Sequence, residues 1–98
     1  MAEIVWTFEA ARWLEKIHDT IATDNQTAAH NVVSGIYEKI QLLRNFPRLG
    51  ARYLPVVDRE VREILYGHYR IAYLIVTEDR IEILGIFHGA MRIEDYLD

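Results

Sequence analysis

Between Val61 and Phe87 the chain carries three apolar runs separated by gaps of only two residues, and this spacing constrains the fold more than any other feature. Val61 to Tyr66, Tyr69 to Thr77 and Arg80 to Phe87 are rich in β-branched and aromatic residues, and the breaks Gly67-His68 and Glu78-Asp79 are of hairpin length. Strands joined this tightly run back antiparallel, because a parallel return needs a crossover of a dozen or more residues. The segment therefore reads as a three-stranded antiparallel meander. In its middle run Tyr69, Ile71, Tyr73 and Ile75 point one way and Arg70, Ala72, Leu74 and Val76 the other. Both sets are largely apolar, so the run is a central strand covered at least in part on both faces. Helices can cover one face, and a partner chain is a candidate cover for the second.

The residues ahead of the meander supply those helices. Glu3 to Phe8 is short, β-branched and aromatic, and reads as a first strand. From Glu9 the apolar positions Ala10, Trp13, Leu14, Ile17 and Ile21 recur at three- and four-residue steps, the signature of an amphipathic helix. Asp24-Asn25-Gln26 interrupts it, with Asp24 or Asn25 able to accept hydrogen bonds from the first amides of a second helix. That helix is expected from Thr27 to Phe46, buried along Ala29, Val32, Val33, Ile36, Ile40 and Leu43, and stopped by Pro47. A loop this short makes the pair an antiparallel hairpin. Pro47-Arg48-Leu49-Gly50 reads as a turn, followed by a looser stretch to Asp58. The expected fold is α+β: strand, helix hairpin, then meander, with the helices on one face of the sheet. Whether the first strand pairs parallel or antiparallel, and with which of the other three, is open at this level.

A chain of 98 residues with no repeat and no Pro/Gly/Ser-rich linker is expected to be one domain, residues 1–98, with one core. No apolar run approaches the ~20 residues of a membrane-spanning helix, and Met1 to Trp6 lacks the basic start of a secretory signal. The absence of cysteine excludes disulfides and thiolate metal sites and fits a cytoplasmic protein. Histidines 18, 30, 68 and 88 have no metal-ligand spacing, and there is no Gly-rich phosphate loop or nucleophilic serine motif. No metal and no cofactor is expected.

Eleven basic against fifteen acidic residues give a net charge of −4, which opposes general nucleic-acid binding. The charge is uneven. Residues 52 to 92 hold six arginines, at 52, 59, 62, 70, 80 and 92, against six acids, while Glu94, Asp95 and Asp98 make the tail acidic. Only two of the basic residues are lysine, so most are guanidinium forks suited to carboxylate or phosphate. Arg70 can equally serve the fold by pairing with Glu63 or Glu82 on neighbouring strands. His88, at a strand end, can serve by bonding the local backbone. Tyrosines 66, 69 and 73 read as packing groups rather than base-stacking ones.

The ordered set of local motifs resembles the RelE/ParE toxin superfamily over essentially the whole chain. It comprises Trp6 to Phe8 running into Ala10-Ala11, Leu14 and Ile17; Ala28-Ala29; Phe46-Pro47-Arg48-Leu49-Gly50; Arg59-Glu60; Tyr69-Arg70-Ile71-Ala72-Tyr73; and Ile83 through Arg92. The Pro-Arg-Leu-Gly turn, the Arg-Glu lead-in and the His-Gly-Ala ending are more similar to ParE than to RelE. The resemblance implies the toxin of a type II toxin–antitoxin module, of the kind that stabilises plasmids, silenced by a cognate antitoxin. ParE-type members inhibit DNA gyrase by binding it; RelE-type members are endoribonucleases that cut messenger RNA in the ribosome without a metal.

In the nuclease alternative Arg70 is the phosphate clamp, with Glu63 or Glu60 as base and His88 as acid. Two positions that carry lysine in RelE-type toxins are Val61 and Glu63 here, and an acid beside a phosphate raises the barrier it should lower. The expected reading is therefore a ParE-like inhibitor acting by protein binding rather than catalysis, with Arg70, His88 and Arg92 facing the target. A third alternative is a non-toxic relative that keeps only the antitoxin contact. Trp13, Ile17, Tyr37 and Leu74 are expected to accept an amphipathic antitoxin segment in the groove beside the helix hairpin and on the sheet. The tail from Ile93 to Asp98 is a further docking candidate, though acidic ends are commonly mobile. An uncovered sheet face also allows a free chain to pair with a second copy until the antitoxin competes.

Overall fold

A computed structural model describes residues 1–97 of the chain. Strand β1 (Glu3–Trp6) leads into helices α1 (Phe8–Ala22) and α2 (Gln26–Gln41), and these are followed by strands β2 (Ala51–Arg52), β3 (Val61–Tyr66), β4 (Tyr69–Thr77) and β5 (Arg80–His88). The strands form one sheet in the order β1-β5-β4-β3-β2. The meander is as the spacing predicts, with β4 antiparallel to both β3 and β5. The pairing left open by the sequence is parallel: Glu3 to Trp6 run beside Arg80 to Ile83.

Three of the boundaries that differ from expectation do so for a clear local reason. β1 ends at Trp6, not Phe8, because Thr7 caps the helix: its Oγ1 accepts from the Ala10 amide at 3.1 Å and donates to the Ile83 carbonyl at 2.6 Å. Phe8 is thereby the first helical residue and is exposed. α2 starts one residue early, with Asn25 accepting from the Ala28 amide. It ends at Gln41 and tightens into a 3-10 turn over Leu42–Arg44, so the α-helix is already spent before Pro47. The stretch read as loose contains β2, whose two residues pair with Arg62 and Glu63 at the sheet edge.

The core lies between the helices and one sheet face. Ala10, Ile36, Ile40 and Leu43 meet Ile64, Ile71, Tyr73, Ile75, Ile81, Ile83 and Ile86 there. Burying each isoleucine side chain is worth about 1.5–3 kcal/mol relative to exposure. Tyr73 is fully buried, and its hydroxyl donates to the Pro47 carbonyl at 2.7 Å and accepts from the Gly50 amide at 2.9 Å. Gly50 admits this contact because a Cβ there would lie 2.5 Å from the Glu63 carbonyl. Tyr66 and Tyr69 are partly buried against the same core, as packing groups.

On the opposite face Ala72 and Phe87 form a second, smaller cluster with Ile93, flanked by Tyr53, Leu84, Met91 and Leu97. This cover comes from the chain itself. The tail, expected to be mobile or a docking element, folds back in a 3-10 turn over Ile93–Tyr96 and buries Ile93 completely. Its last residue, Asp98, lies outside the described residues. The cover is partial, since Leu65 and Val76 stay exposed.

Candidate functional site

Strand alternation divides the candidate residues between two faces. Arg70 and Glu63 lie on the face away from the helices, as neighbours of Ala72 in the register, and they form a bidentate pair. Arg70 Nε donates to Glu63 Oε1 at 3.2 Å and Nη2 to Oε2 at 3.0 Å; both side chains are about four-fifths buried. Nη1 donates to the carbonyls of Met91 at 2.7 Å and Gly89 at 3.3 Å. The ring of Tyr53 lies beneath the guanidinium, 5.8 Å from it. The Glu63 carboxylate raises the Arg70 pKa above its ordinary value. Arg70 is thus a fork whose prongs are taken by its own chain.

Tyr53 extends this cluster by donating its hydroxyl to the Glu94 carboxylate. Partial burial raises the Tyr53 pKa, and the hydrogen bond from Tyr53 lowers that of Glu94. Nothing in the sequence marks Tyr53, a loop tyrosine 41 positions from its partner. Ile93 and the positive-φ Gly89 are the only sequence signals that the tail turns back.

His88 sits on the other face. It follows Phe87 in the alternation, pairs with Tyr69, and borders a groove with Ile17, Ile21 and Ile86. The Tyr69 and His88 rings are 6.1 Å apart. The His88 side chain makes no hydrogen bond among the described residues and is exposed, as is Arg92. Arg92 approaches Glu94 at 3.5 Å and Asp95 at 3.6 Å. The structure therefore brings Arg70 and Glu63 together and leaves His88 on the reverse of the sheet.

Glu60, the other candidate base, is further removed. Its neighbour Val61 pairs with Leu74, whereas His88 pairs with Tyr69, so roughly 20 Å of strand separates them. Glu60 is held by Arg48 at 3.0 Å and Arg62 at 2.8 Å, and these hydrogen bonds, that from Arg48 foremost, lower its pKa. Arg48 also reaches Glu78 at 3.3 Å, and Arg62 donates to the Gly50 carbonyl at 2.7 Å. This network fastens the Pro47–Gly50 turn to the start of β3 and the β4–β5 hairpin. Val61 is fully buried.

Helix α1 is a ridge with a groove on each side. One groove, about 300 Å³, runs between α1 and the end of β5 past Trp13, Lys16, Ile17 and Met91. The other, about 430 Å³, lies between α1, α2 and β1 and is lined by Trp6, Leu14, Val33 and Tyr37 among others. Both walls are predominantly apolar. Of the four residues expected to meet an antitoxin, Trp13 and Ile17 share the first groove and Tyr37 lines the second. Leu74 stands apart, opposite Val61 on the far face of the sheet. At the β5 end, Trp13 packs against Phe87 at 4.8 Å and Tyr96 at 5.5 Å. β1 covers β5 only as far as Ile83, so these rings shield the strand end beyond it.

Among the described residues no helix is long and apolar enough to cross a membrane, and no group of three or more His, Cys, Asp or Glu is placed to hold a metal ion. Residues 4–93 match the family model for the ParE toxin of the type II toxin–antitoxin system parDE. Among solved structures, the chain is similar to one described as the chromosomal ParDE TA system from P. aeruginosa, with a TM-score of 0.75 and 25% identity. That similarity covers 91% of this chain and 97% of the other. No curated protein matches the sequence.

Proposed function

The chain belongs to the ParE toxin family of type II toxin–antitoxin systems, and from that membership we propose that it arrests growth by binding and inhibiting DNA gyrase until its antitoxin covers it. The observation that carries the choice of binding over RNA cleavage is the state of Arg70. A phosphate clamp needs a guanidinium free to meet a phosphate, and this one is engaged by Glu63, Met91 and Gly89. A carboxylate fixed beside it repels an incoming phosphate. His88 on the reverse face cannot serve as acid at a reaction centred on Arg70 and Glu63. The net charge of −4 adds a general repulsion toward RNA.

The target-facing surface in this reading is the sheet end where His88 and Arg92 are exposed, with Arg70 supporting it from beneath. The antitoxin is assigned to α1, because an amphipathic segment laid across this ridge fills apolar grooves on one or both sides. Trp13, Ile17 and Tyr37 are its anchors; Leu74 contributes only if the partner also wraps the far face.

Inducing the chain without its antitoxin tests the reading. Growth arrest with an unchanged pattern of messenger 5′ ends and with DNA breaks covalently attached to gyrase is expected. New 5′ ends within reading frames would favour the nuclease, and normal growth with abundant folded protein would favour a relative that keeps only antitoxin binding.

A further inference from the structure

The tail does more than cover apolar surface, because it touches both the Arg70 cluster and the groove beside α1. After β5 the chain reverses at Gly89, whose φ of +63° is a left-handed conformation natural to glycine, with open space around it. Met91 then rounds the end of the sheet. Its carbonyl accepts from Arg70 at 2.7 Å on the outer face, while the residue also borders the α1 groove. Ile93 is fully buried beside Ala72 and Phe87, Glu94 accepts from Tyr53, and Tyr96 packs on Trp13 at 5.5 Å. A short segment is thus fixed by a hinge, an apolar seat and two polar clasps.

We propose that Arg70 and Tyr53 are positioning residues that hold residues 89–97 down as a strap, and that the strap couples the groove beside α1 to the surface around Arg92. Trp13 is the physical link: it lines the groove and contacts both Phe87 and Tyr96. A ligand that moves Trp13 or Met91 disturbs the strap's seat. By linkage, loosening the clasps alters the groove in return. Arg70 then acts on a target through the strap, and its removal changes a surface it does not itself form. The strap and its coupling stand on geometry alone; their significance for a target rests on the proposed target-facing surface.

Two measurements on the purified full chain decide this. Trypsin cleaves after arginine, and cleavage at Arg92–Ile93 requires buried Ile93 to leave its seat, so its rate reports strap opening. Arg70→Lys, which removes the fork, and Tyr53→Phe, which keeps the ring and loses the bond to Glu94, are expected to speed this cleavage about tenfold. Global stability should fall by no more than the same factor, because a clasp lost on opening is lost on unfolding as well. In a Trp6→Phe background Trp13 is the sole tryptophan, and its emission should shift to longer wavelength in the same two variants. Unchanged cleavage overturns the strap, and faster cleavage with unchanged Trp13 emission overturns the coupling. If Arg70→Lys fails to fold, Tyr53→Phe and Glu94→Gln decide alone. Neither readout involves gyrase, so failure of the target assignment leaves this test intact.

Discussion

At Arg70 two strands and the tail meet on one guanidinium. Removing it leaves the largely buried Glu63 carboxylate without its partner and frees two carbonyls of the tail. Arg70→Ala is expected to cost about 1–3 kcal/mol in urea denaturation, and Arg70→Ala with Glu63→Ala less than the sum of the two single changes. Additive losses would mean that the pair is not coupled. Glu60 makes a pH prediction. Its pKa is lowered below the ordinary 4.5 by Arg48 and Arg62, so its contribution is fully present above that value and is lost as pH falls through the folded-state value. Glu60→Gln should be less stable than the parent at pH 7, and the gap should close on acidification below 4.5. A constant gap would contradict the assignment. The Arg70–Glu63 pair is suggested by the charge pattern along neighbouring strands, but the Glu60 pairs, the Met91 carbonyl on Arg70 and the Tyr53–Glu94 contact are not. The last two depend on a tail returning across the sheet, and nothing local in Arg92 to Tyr96 encodes that return beyond one buried isoleucine.

At the scale of elements, caps and close approaches set the boundaries. Thr7→Ala removes the first helical cap and a bond to the Ile83 carbonyl, and should lower stability by about 1–2 kcal/mol. Loss of fewer than a few tenths in thermal or urea unfolding would show that the cap is redundant. Gly35 lies within α2, and a Cβ there would fall 1.9 Å from the Tyr66 hydroxyl, so Gly35→Ala must displace the ring. The expected destabilisation is about 1–3 kcal/mol despite alanine's better helix propensity; Tyr66→Phe, which removes the clashing oxygen, should recover part of it. The helices and the meander were legible because burial imposes periods of 3.6 and 2 on the sequence. β2 was not, since two exposed residues at an edge carry no period. Nor was the partner of β1, because four residues can pair with several strands; Thr7, the helix cap, and the Glu3 amide on the Asp79 carbonyl fix it beside β5.

At the scale of the molecule, the helices close one sheet face and the strap closes part of the other. The apolar outward side of β4 suggested a need for cover, and the chain meets much of it with Ile93, Met91 and Leu97. Ending the chain after Arg92 should therefore uncover Ala72 and Phe87 and produce concentration-dependent self-association in sedimentation experiments, where the full chain associates less. Equal behaviour of the two would show that the strap is not the cover. The candidate site was only half legible: Arg70 and Glu63 meet as strand neighbours, but sequence order did not reveal that His88 faces the helices. That placement weighs against RNA cleavage and supports the proposed protein-binding surface. Supercoiling of relaxed plasmid by purified DNA gyrase, with the purified full chain added, tests this claim most directly. Inhibition or accumulation of cleaved DNA, reversed by the antitoxin, is expected; undiminished supercoiling with folded protein in large excess would overturn gyrase as the target.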